Sequence, residues 1–299
     1  MKSTERTDSL RPAARLYCFI AVGLTVLAAL LGVLSLTKNY DTAIGYYSHG
    51  AVLPIVLAVL CAASVVFFAV FAILRFRGHE AAYAKKSSLA VRISAFASAA
   101  VALLLAISDL RSGASMLSLF LGLGACLYFL LIATEKATPA LSLAFGFCTI
   151  LRMLVEVVRS YTDLLLPMNS PEKIWLHLAA VAGMFYLISE IRALVAKPYT
   201  ATWFFASATA TLLAGTASLT LLLGNLTHRF YGTPTKSAIV FAALLLCFAV
   251  YTGSRLFAVS SCPKPEELSE PEEMEATEPE EPEEIKETEE QQGESYERE

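Results

Sequence analysis

The sequence has little of what catalytic and metal sites are built from. It contains four histidines and six cysteines in 299 residues, and the two residue types do not cluster. There is no Cys-x-x-Cys pair, and five of the six cysteines lie within apolar runs, where cysteine usually serves as a small hydrophobic residue. The composition therefore argues against a metal site and against a disulfide framework, and we expect no cofactor.

Sequence motifs of common enzymes are missing as well. The chain has no Gly-x-Ser-x-Gly, no His-Glu-x-x-His, no Walker loop and no pair of intramembrane aspartates of the protease type. A cleavable signal peptide is not evident either, because the first apolar run is too long and no small-residue cleavage pattern follows it. We expect a protein that is not an enzyme and that has no nucleic-acid partner.

Hydrophobic residues are what the sequence has in excess. They make up 56% of the chain, and the mean hydropathy is +0.58. Soluble domains have roughly 45–50% apolar residues, so the composition indicates a membrane protein whose first partner is the lipid bilayer. Charge is segregated: 17 glutamates and only three basic residues follow residue 262, whereas 20 basic and 10 acidic residues precede it.

Eight apolar runs are long enough to cross a bilayer, which takes about 20 residues of helix. They span 15–36, 51–75, 89–108, 116–134, 139–160, 172–196, 201–224 and 237–258. The sequence thus predicts an all-α, polytopic transmembrane helix bundle of about eight crossings. A seven-crossing alternative stays open, because the joint DLRSGAS between the third and fourth runs is short.

Three of the predicted helix starts have a physical cause. Thr138-Pro139, Ser170-Pro171 and Thr233-Pro234 each place a capping hydroxyl before a proline. The missing N–H of proline is harmless in the first turn of a helix, where it has no intrahelical partner.

The chain is predicted to have three parts: a basic cytoplasmic segment over 1–14, the bundle over 15–259 and an acidic cytoplasmic tail over 260–299. Dense like charge and repeated proline leave the tail almost nothing to bury, so we expect it to be disordered. It is either a solvated tail or a segment that binds a protein partner.

Three charges lie inside the fifth apolar run, in the stretch ILRMLVEVVRS. Arg152, Glu156 and Arg159 follow the i, i+4, i+7 spacing, so they form one stripe on a helix. An arginine near the bilayer centre costs about 2.5–3.5 kcal/mol on insertion scales, and Glu156 is the nearest residue that can neutralise Arg152. The stripe is expected to face protein or water.

The sixth run adds two polar residues. His177 lies near its outer end, at a depth compatible with Glu156, while Glu190 lies near the opposite end. Glu190 is expected to meet basic residues of cytoplasmic loops or the helix start at Thr138. The candidate intramembrane polar site therefore comprises Arg152, Glu156, Arg159, His177 and Glu190.

Two interpretations of these residues remain. In the structural one, Arg152 and Glu156 form an ion pair that fixes how helices dock, and the protein is a non-catalytic scaffold, sensor or regulator. In the functional one, they form the site of a small-solute transporter or channel. The structural interpretation is preferred, because so few intramembrane charges provide no obvious ion pathway.

The stretch MNSPEKIWLHLAAVAGMFYLISEIRALV carries a resemblance. Its Asn-Ser-Pro-x-Lys start (Asn169 to Lys173) and its Glu-x-Arg end (Glu190 to Arg192) resemble an element of multi-spanning membrane proteins from Gram-positive gut anaerobes. The resemblance covers about thirty residues. It implies the fold class and no activity.

The distribution of Lys and Arg predicts the orientation. If the N-terminus is cytoplasmic, fourteen basic residues lie on the cytoplasmic side and six on the other side, namely Lys38, Arg111, Arg159, Lys173, Arg229 and Lys236. Short basic loops are retained in the cytoplasm, so both termini are expected there, in the cell membrane.

We predict that a cysteine introduced in the 76–88 loop reacts with a membrane-impermeant maleimide only after cells are permeabilised. A cysteine in the predicted external segment NYDTAIGYYSHG is the matched control and should react in intact cells. Labelling of the 76–88 position from outside intact cells would reverse the assignment.

Overall fold

The computed structural model describes residues 10–77, 88–113, 115–164, 167, 169–195, 200–227 and 236–260. It divides the chain into two units, Met1–Cys262 and Pro263–Glu299. The second unit lies outside the described residues. The prediction of a disordered acidic tail concerns those residues and stays a prediction. Most of the predicted basic segment over 1–14 is likewise outside them.

Eight helices form the described part of the bundle: α1 Leu10–Asn39, α2 Val52–Phe76, α3 Leu89–Arg111, α4 Met116–Ala133, α5 Pro139–Thr162, α6 Pro171–Val195, α7 Thr200–Leu226 and α8 Lys236–Ser260. All eight are long and apolar enough to cross a membrane. The predicted all-α, eight-crossing bundle is confirmed, and the chain is a multi-pass membrane protein. Between α1 and α2, strands β1 (Tyr40–Asp41) and β2 (Tyr46–Tyr47) pair as a small antiparallel hairpin.

Hydroxyl caps explain several helix starts. Thr138 and Ser170 accept hydrogen bonds from backbone amides three residues further on, each at 3.4 Å, as predicted. Ser88 and Ser115 cap α3 and α4 in the same way. The predicted cap at Thr233-Pro234 lies outside the described residues.

Six of the helices close a ring. From α3 to α8, each helix packs on the one that follows it in the chain. Helix α8 packs on α3 and closes the ring. Helices α1 and α2 both pack on α7 of this ring, and α1 also packs on α8. Helix α7 therefore contacts helices on both sides, and 83% of its membrane-crossing window is buried, the highest share among the eight spans described.

Successive crossings alternate in direction, so the bundle has two ends. We call the end at which α1 begins the amino-terminal end and the end that carries the β1–β2 pair the hairpin end. At the amino-terminal end, the Tyr17 hydroxyl of α1 donates to the carbonyls of Phe68 and Phe204 at 3.3 Å, which joins α1, α2 and α7. At the hairpin end, the Tyr40 hydroxyl donates to Glu172 at 2.9 Å and ties the β1–β2 pair to α6.

Small residues let the helices of the ring approach closely. A Cβ added to Gly124 of α4 would lie 2.5 Å from the Cβ of Cys148 in α5. A Cβ added to Gly146 of α5 would lie 2.5 Å from Ile191 in α6. Close approach of backbones is how transmembrane helices gain packing energy, because lipid supplies no hydrophobic force between them.

We predict that Gly124→Ala destabilises the protein by about 1–3 kcal/mol, since the new methyl group overlaps an atom held directly on the α5 backbone. Gly23→Ala in α1 is the matched control, because an added Cβ there has nothing within 4 Å. Thermal unfolding in detergent measures both variants. Equal stability of the two would show that α4 and α5 are not in close contact.

Candidate functional site

The charged stripe of α5 faces the inside of the bundle. Arg152 and Glu156 are buried together with Ser142, Gly146 and Thr149, which precede them at helical spacing on the same face. The opposite face of α5 carries exposed apolar residues. The amphipathic pattern of the helix therefore turns the charges away from lipid, as the sequence predicts.

Asp109 of α3 completes the cluster that forms around these residues. Arg152 Nη2 donates to Asp109 Oδ2 at 2.8 Å, and Arg159 Nη1 donates to Asp109 Oδ1 at 3.1 Å. Within α5, Glu156 Oε1 lies 2.6 Å from Arg152 Nη1 and 3.0 Å from Arg159 Nη1. We call Asp109, Arg152, Glu156 and Arg159 the hairpin-end cluster.

The hairpin-end cluster is neutral and nearly dry. Its two guanidinium groups balance its two carboxylates, and the Arg152 side chain is 1% exposed while that of Asp109 is 0% exposed. Arg159 differs, with 37% of its side chain exposed. Burial of charge is tolerated where each ion has a counter-ion, and this arrangement supplies one for every charge, while Arg152 Nε and Nη1 have no hydrogen-bond partner among the described residues.

Asp109 was missed by the sequence analysis, which assigned it to the joint between the third and fourth crossings. Helix α3 instead continues to Arg111, three residues beyond the predicted end. A signal was present: Ala102, Leu105, Ala106 and Asp109 follow the i, i+3, i+4, i+7 pattern of one buried helix face, and all four are buried. The carboxylate continues that face.

Glu190 belongs to a second cluster, at the amino-terminal end. Its Oε1 accepts from Arg255 Nε at 2.9 Å and also from Arg255 Nη2. Its Oε2 accepts from Trp203 Nε1 at 2.6 Å and from the Tyr186 hydroxyl at 3.1 Å. We call Glu190, Arg255, Trp203 and Tyr186 the amino-terminal-end cluster; it joins α6, α7 and α8.

The partner of Glu190 differs from the sequence expectation. Loop lysines and arginines or the helix start at Thr138 were expected, whereas the observed partner is Arg255, which lies within α8 and is 5% exposed. Arg255 is 65 residues away along the chain, so no local spacing relates the two residues.

His177 belongs to neither cluster, although its side chain hydrogen-bonds to the backbone of Val157, the residue after Glu156. It is partly buried in α6, and its Nε2 has no hydrogen-bond partner among the described residues. No hydrogen bond or ion pair between His177 and Glu156 occurs in the part of the chain that the structure describes. The structure thus brings together Arg152, Glu156 and Arg159. It places His177 against α5 beside Glu156, as the predicted depth requires, and Glu190 at the opposite end of the bundle.

One cavity borders the hairpin-end cluster. It has a volume of about 450 Å³ and is lined by Ser115, Ser118, Leu154, Val155, Val158, Arg159 and Thr162. Arg159 is the member of the cluster that lines it, while Arg152 does not. In the described residues no group of three or more His, Cys, Asp or Glu could hold a metal ion.

Comparison with known proteins does not place the chain in a family. It matches no protein-family model, no curated protein and no solved structure.

We predict that Asp109→Asn destabilises the protein by about 3–5 kcal/mol, because it leaves one guanidinium charge uncompensated inside the bundle. The double variant Asp109→Leu with Arg152→Met removes one charge of each sign and should recover much of the loss. Thermal unfolding of the purified proteins in detergent measures both effects.

The matched control for this prediction is the exposed pair Arg92–Glu135. The two side chains are 48% and 53% exposed, and their charged atoms lie 4.0 Å apart. Glu135→Gln should therefore change stability by less than about 1 kcal/mol. If Asp109→Asn is as mild as Glu135→Gln, Asp109 is hydrated and the hairpin-end cluster is open to water.

Proposed function

We propose that this multi-pass membrane protein is a non-catalytic scaffold, sensor or regulator of a membrane partner. It is proposed to lie in the cell membrane with both termini in the cytoplasm. The bundle then serves as a stable anchor, and the acidic tail after residue 262 presents negative charge to a partner near the membrane surface.

The seclusion of Arg152 is the observation that carries this proposal. A transporter that used Arg152 to bind an anion would need to expose the guanidinium to a water-filled path. Its guanidinium instead contacts Asp109 and Glu156, and its side chain is 1% exposed. Arg255 is similarly enclosed by Glu190. Arg152 joins α5 to α3, and Arg255 joins α8 to α6. Such a structural role suits an anchor.

The alternative is a small-solute transporter or channel. Its support comes from Arg159, which is partly exposed beside a cavity, and from buried hydroxyls of α7, three of which have no hydrogen-bond partner among the described residues: Ser207, Thr209 and Thr216. Helix α7 also uses hydroxyls for packing, since Thr211 and Thr252 of α8 lie 2.9 Å apart. The enclosure of Arg152 and Arg255 by counter-ions makes the anchor the better-supported function.

The acidic tail carries the charge through which a partner would bind. Its 17 glutamates against three basic residues give it a net charge of about −14 near neutral pH. A segment of this charge is repelled by anionic lipid and attracted to basic protein surfaces. The partner is therefore a protein with a basic surface, and the residues Arg75, Arg77, Lys85 and Lys86 of the chain itself are the intramolecular competitor.

We predict that a photo-crosslinking amino acid at Leu268 or Ile285 captures a discrete partner in intact cells. The same amino acid at Ala43, in the β1–β2 turn, is the matched control and should not capture it. Changing Glu280, Glu281, Glu283 and Glu284 to glutamine should lower the yield, because the attraction depends on charge. The captured band is identified by mass spectrometry.

Two outcomes would contradict the proposal. In the first, the tail positions give no band beyond that of Ala43, or only a crosslink to the chain itself. In the second, purified protein in liposomes drives uptake of an ion or small solute, and Arg152→Gln abolishes the uptake without unfolding the protein. The second outcome would establish the transporter alternative.

A further inference from the structure

The cavity between α4 and α5 is polar at one end and apolar at the other. Ser115 caps the start of α4, and Arg159 and Thr162 belong to the last turn of α5, so these side chains lie at the hairpin end of the bundle. Leu154 and Val155 lie deeper. The helix rise of 1.5 Å per residue places Leu154 about 12 Å below Thr162.

This order of polarity follows the membrane normal. The last turn of a transmembrane helix lies at the headgroup level, and positions about 12 Å further in lie within the hydrocarbon. The cavity therefore offers hydroxyl and guanidinium groups at the depth of lipid headgroups and an apolar wall at the depth of acyl chains. Only an amphipathic molecule oriented as the bilayer lipids are oriented matches both parts.

The charge that the cavity presents is positive. Arg159 lines it and leaves 37% of its side chain exposed, whereas the carboxylates of Asp109 and Glu156 are 0% and 7% exposed. The hairpin-end cluster is neutral as a whole, yet its cation is the member that reaches the cavity. Arg159 Nη2 donates to the buried Ser118 hydroxyl at 3.5 Å, and this hydroxyl lies 3.3 Å from that of Ser115, so Ser118 holds the guanidinium beside the exposed Ser115.

The wall below the cavity continues as a lipid-facing surface. Phe147, Leu151, Leu154 and Val158 share one face of α5 at i, i+4, i+7 and i+11, and each is 43% or more exposed. The cavity of about 450 Å³ is open to the surface of the bundle, so a headgroup and the first part of an acyl chain can lie along it. The rest of an acyl chain would lie along Leu151 and Phe147.

We propose that this cavity is a binding site for an anionic glycerophospholipid. The phosphate accepts hydrogen bonds from Arg159 and from the exposed hydroxyl of Ser115, and an acyl chain packs on Leu154, Val155 and Val158. Guanidinium groups bind phosphate with charge-assisted hydrogen bonds, which are stronger than neutral ones. The site is independent of whether the protein anchors a partner or moves a solute.

The test measures lipid retained by the purified full-length protein. The protein is equilibrated in detergent with equal amounts of phosphatidylglycerol and phosphatidylcholine, and bound lipid is counted by native mass spectrometry. Wild type should retain phosphatidylglycerol about tenfold more than phosphatidylcholine, the preference that one charged hydrogen bond provides. Leu154→Trp, which fills the apolar part of the cavity, should abolish the retained phosphatidylglycerol.

Leu178→Trp is the matched control. Leu178 of α6 is 44% exposed and Leu154 is 43% exposed, and both lie within the hydrocarbon depth near the hairpin end. Leu178 does not line the cavity. This variant should retain phosphatidylglycerol as wild type does. In detergent without added lipid, both variants should unfold at the wild-type temperature, because both positions face lipid.

A second variant separates the headgroup from the chain. Arg159→Gln removes the exposed charge and should reduce the preference for phosphatidylglycerol to about that for phosphatidylcholine, measured below its own unfolding temperature. Equal retention by wild type, Leu154→Trp and Leu178→Trp would overturn the proposal. Displacement of the bound lipid by millimolar inorganic phosphate would also overturn it, because it would identify a site for free phosphate.

Discussion

The contact between Asp109 of α3 and Arg152 of α5 is the constraint on which the hairpin end of the bundle depends. Both side chains are enclosed by protein, at 1% and 0% exposure, so loss of either one leaves a buried charge without its counter-ion. The two helices are not neighbours in the chain, and α4 lies between them in the ring. The ion pair therefore joins α3 and α5 directly, and Arg159 of the same cluster adds a contact to Ser118 of α4.

The amino-terminal end is also held by a buried ion pair, between Glu190 and Arg255. Glu190 receives two hydrogen bonds from Arg255 and one each from Trp203 and Tyr186, so both carboxylate oxygens are satisfied by three different helices. Each end of the ring thus carries a neutral cluster with its charges paired. Between the two ends, packing depends on small residues such as Gly124 and Gly146, which supply close contact without directional bonds. The buried ion pairs fix the relative positions of the helices along their axes, and the small residues allow the helix backbones to come close together.

Much of this architecture was predictable from local sequence, and the limits have a physical cause. Apolar run length sets the eight helices, and the caps at Thr138 and Ser170 set two of their starts, because both depend on residues close in the chain. The stripe of Arg152, Glu156 and Arg159 follows from helix geometry alone. The pairings with Asp109 and Arg255 were not predictable in this way, since they join residues 43 and 65 positions apart and depend on which helices are neighbours.

Arg159 links the hairpin-end cluster to the proposed lipid site, and this sharing has a thermodynamic consequence. The same guanidinium donates to Asp109 and Glu156 and lines the cavity, so a bound phosphate and the two carboxylates act on one cation. A lipid that binds only the folded bundle stabilises it by mass action. Linkage is reciprocal. If bound lipid changes the free energy of rearranging Asp109 or Glu156, that rearrangement changes the free energy of lipid binding by the same amount. A neutral structural cluster with one partly exposed arginine can in this way respond to the composition of the membrane that surrounds it, without a water-filled path through the protein.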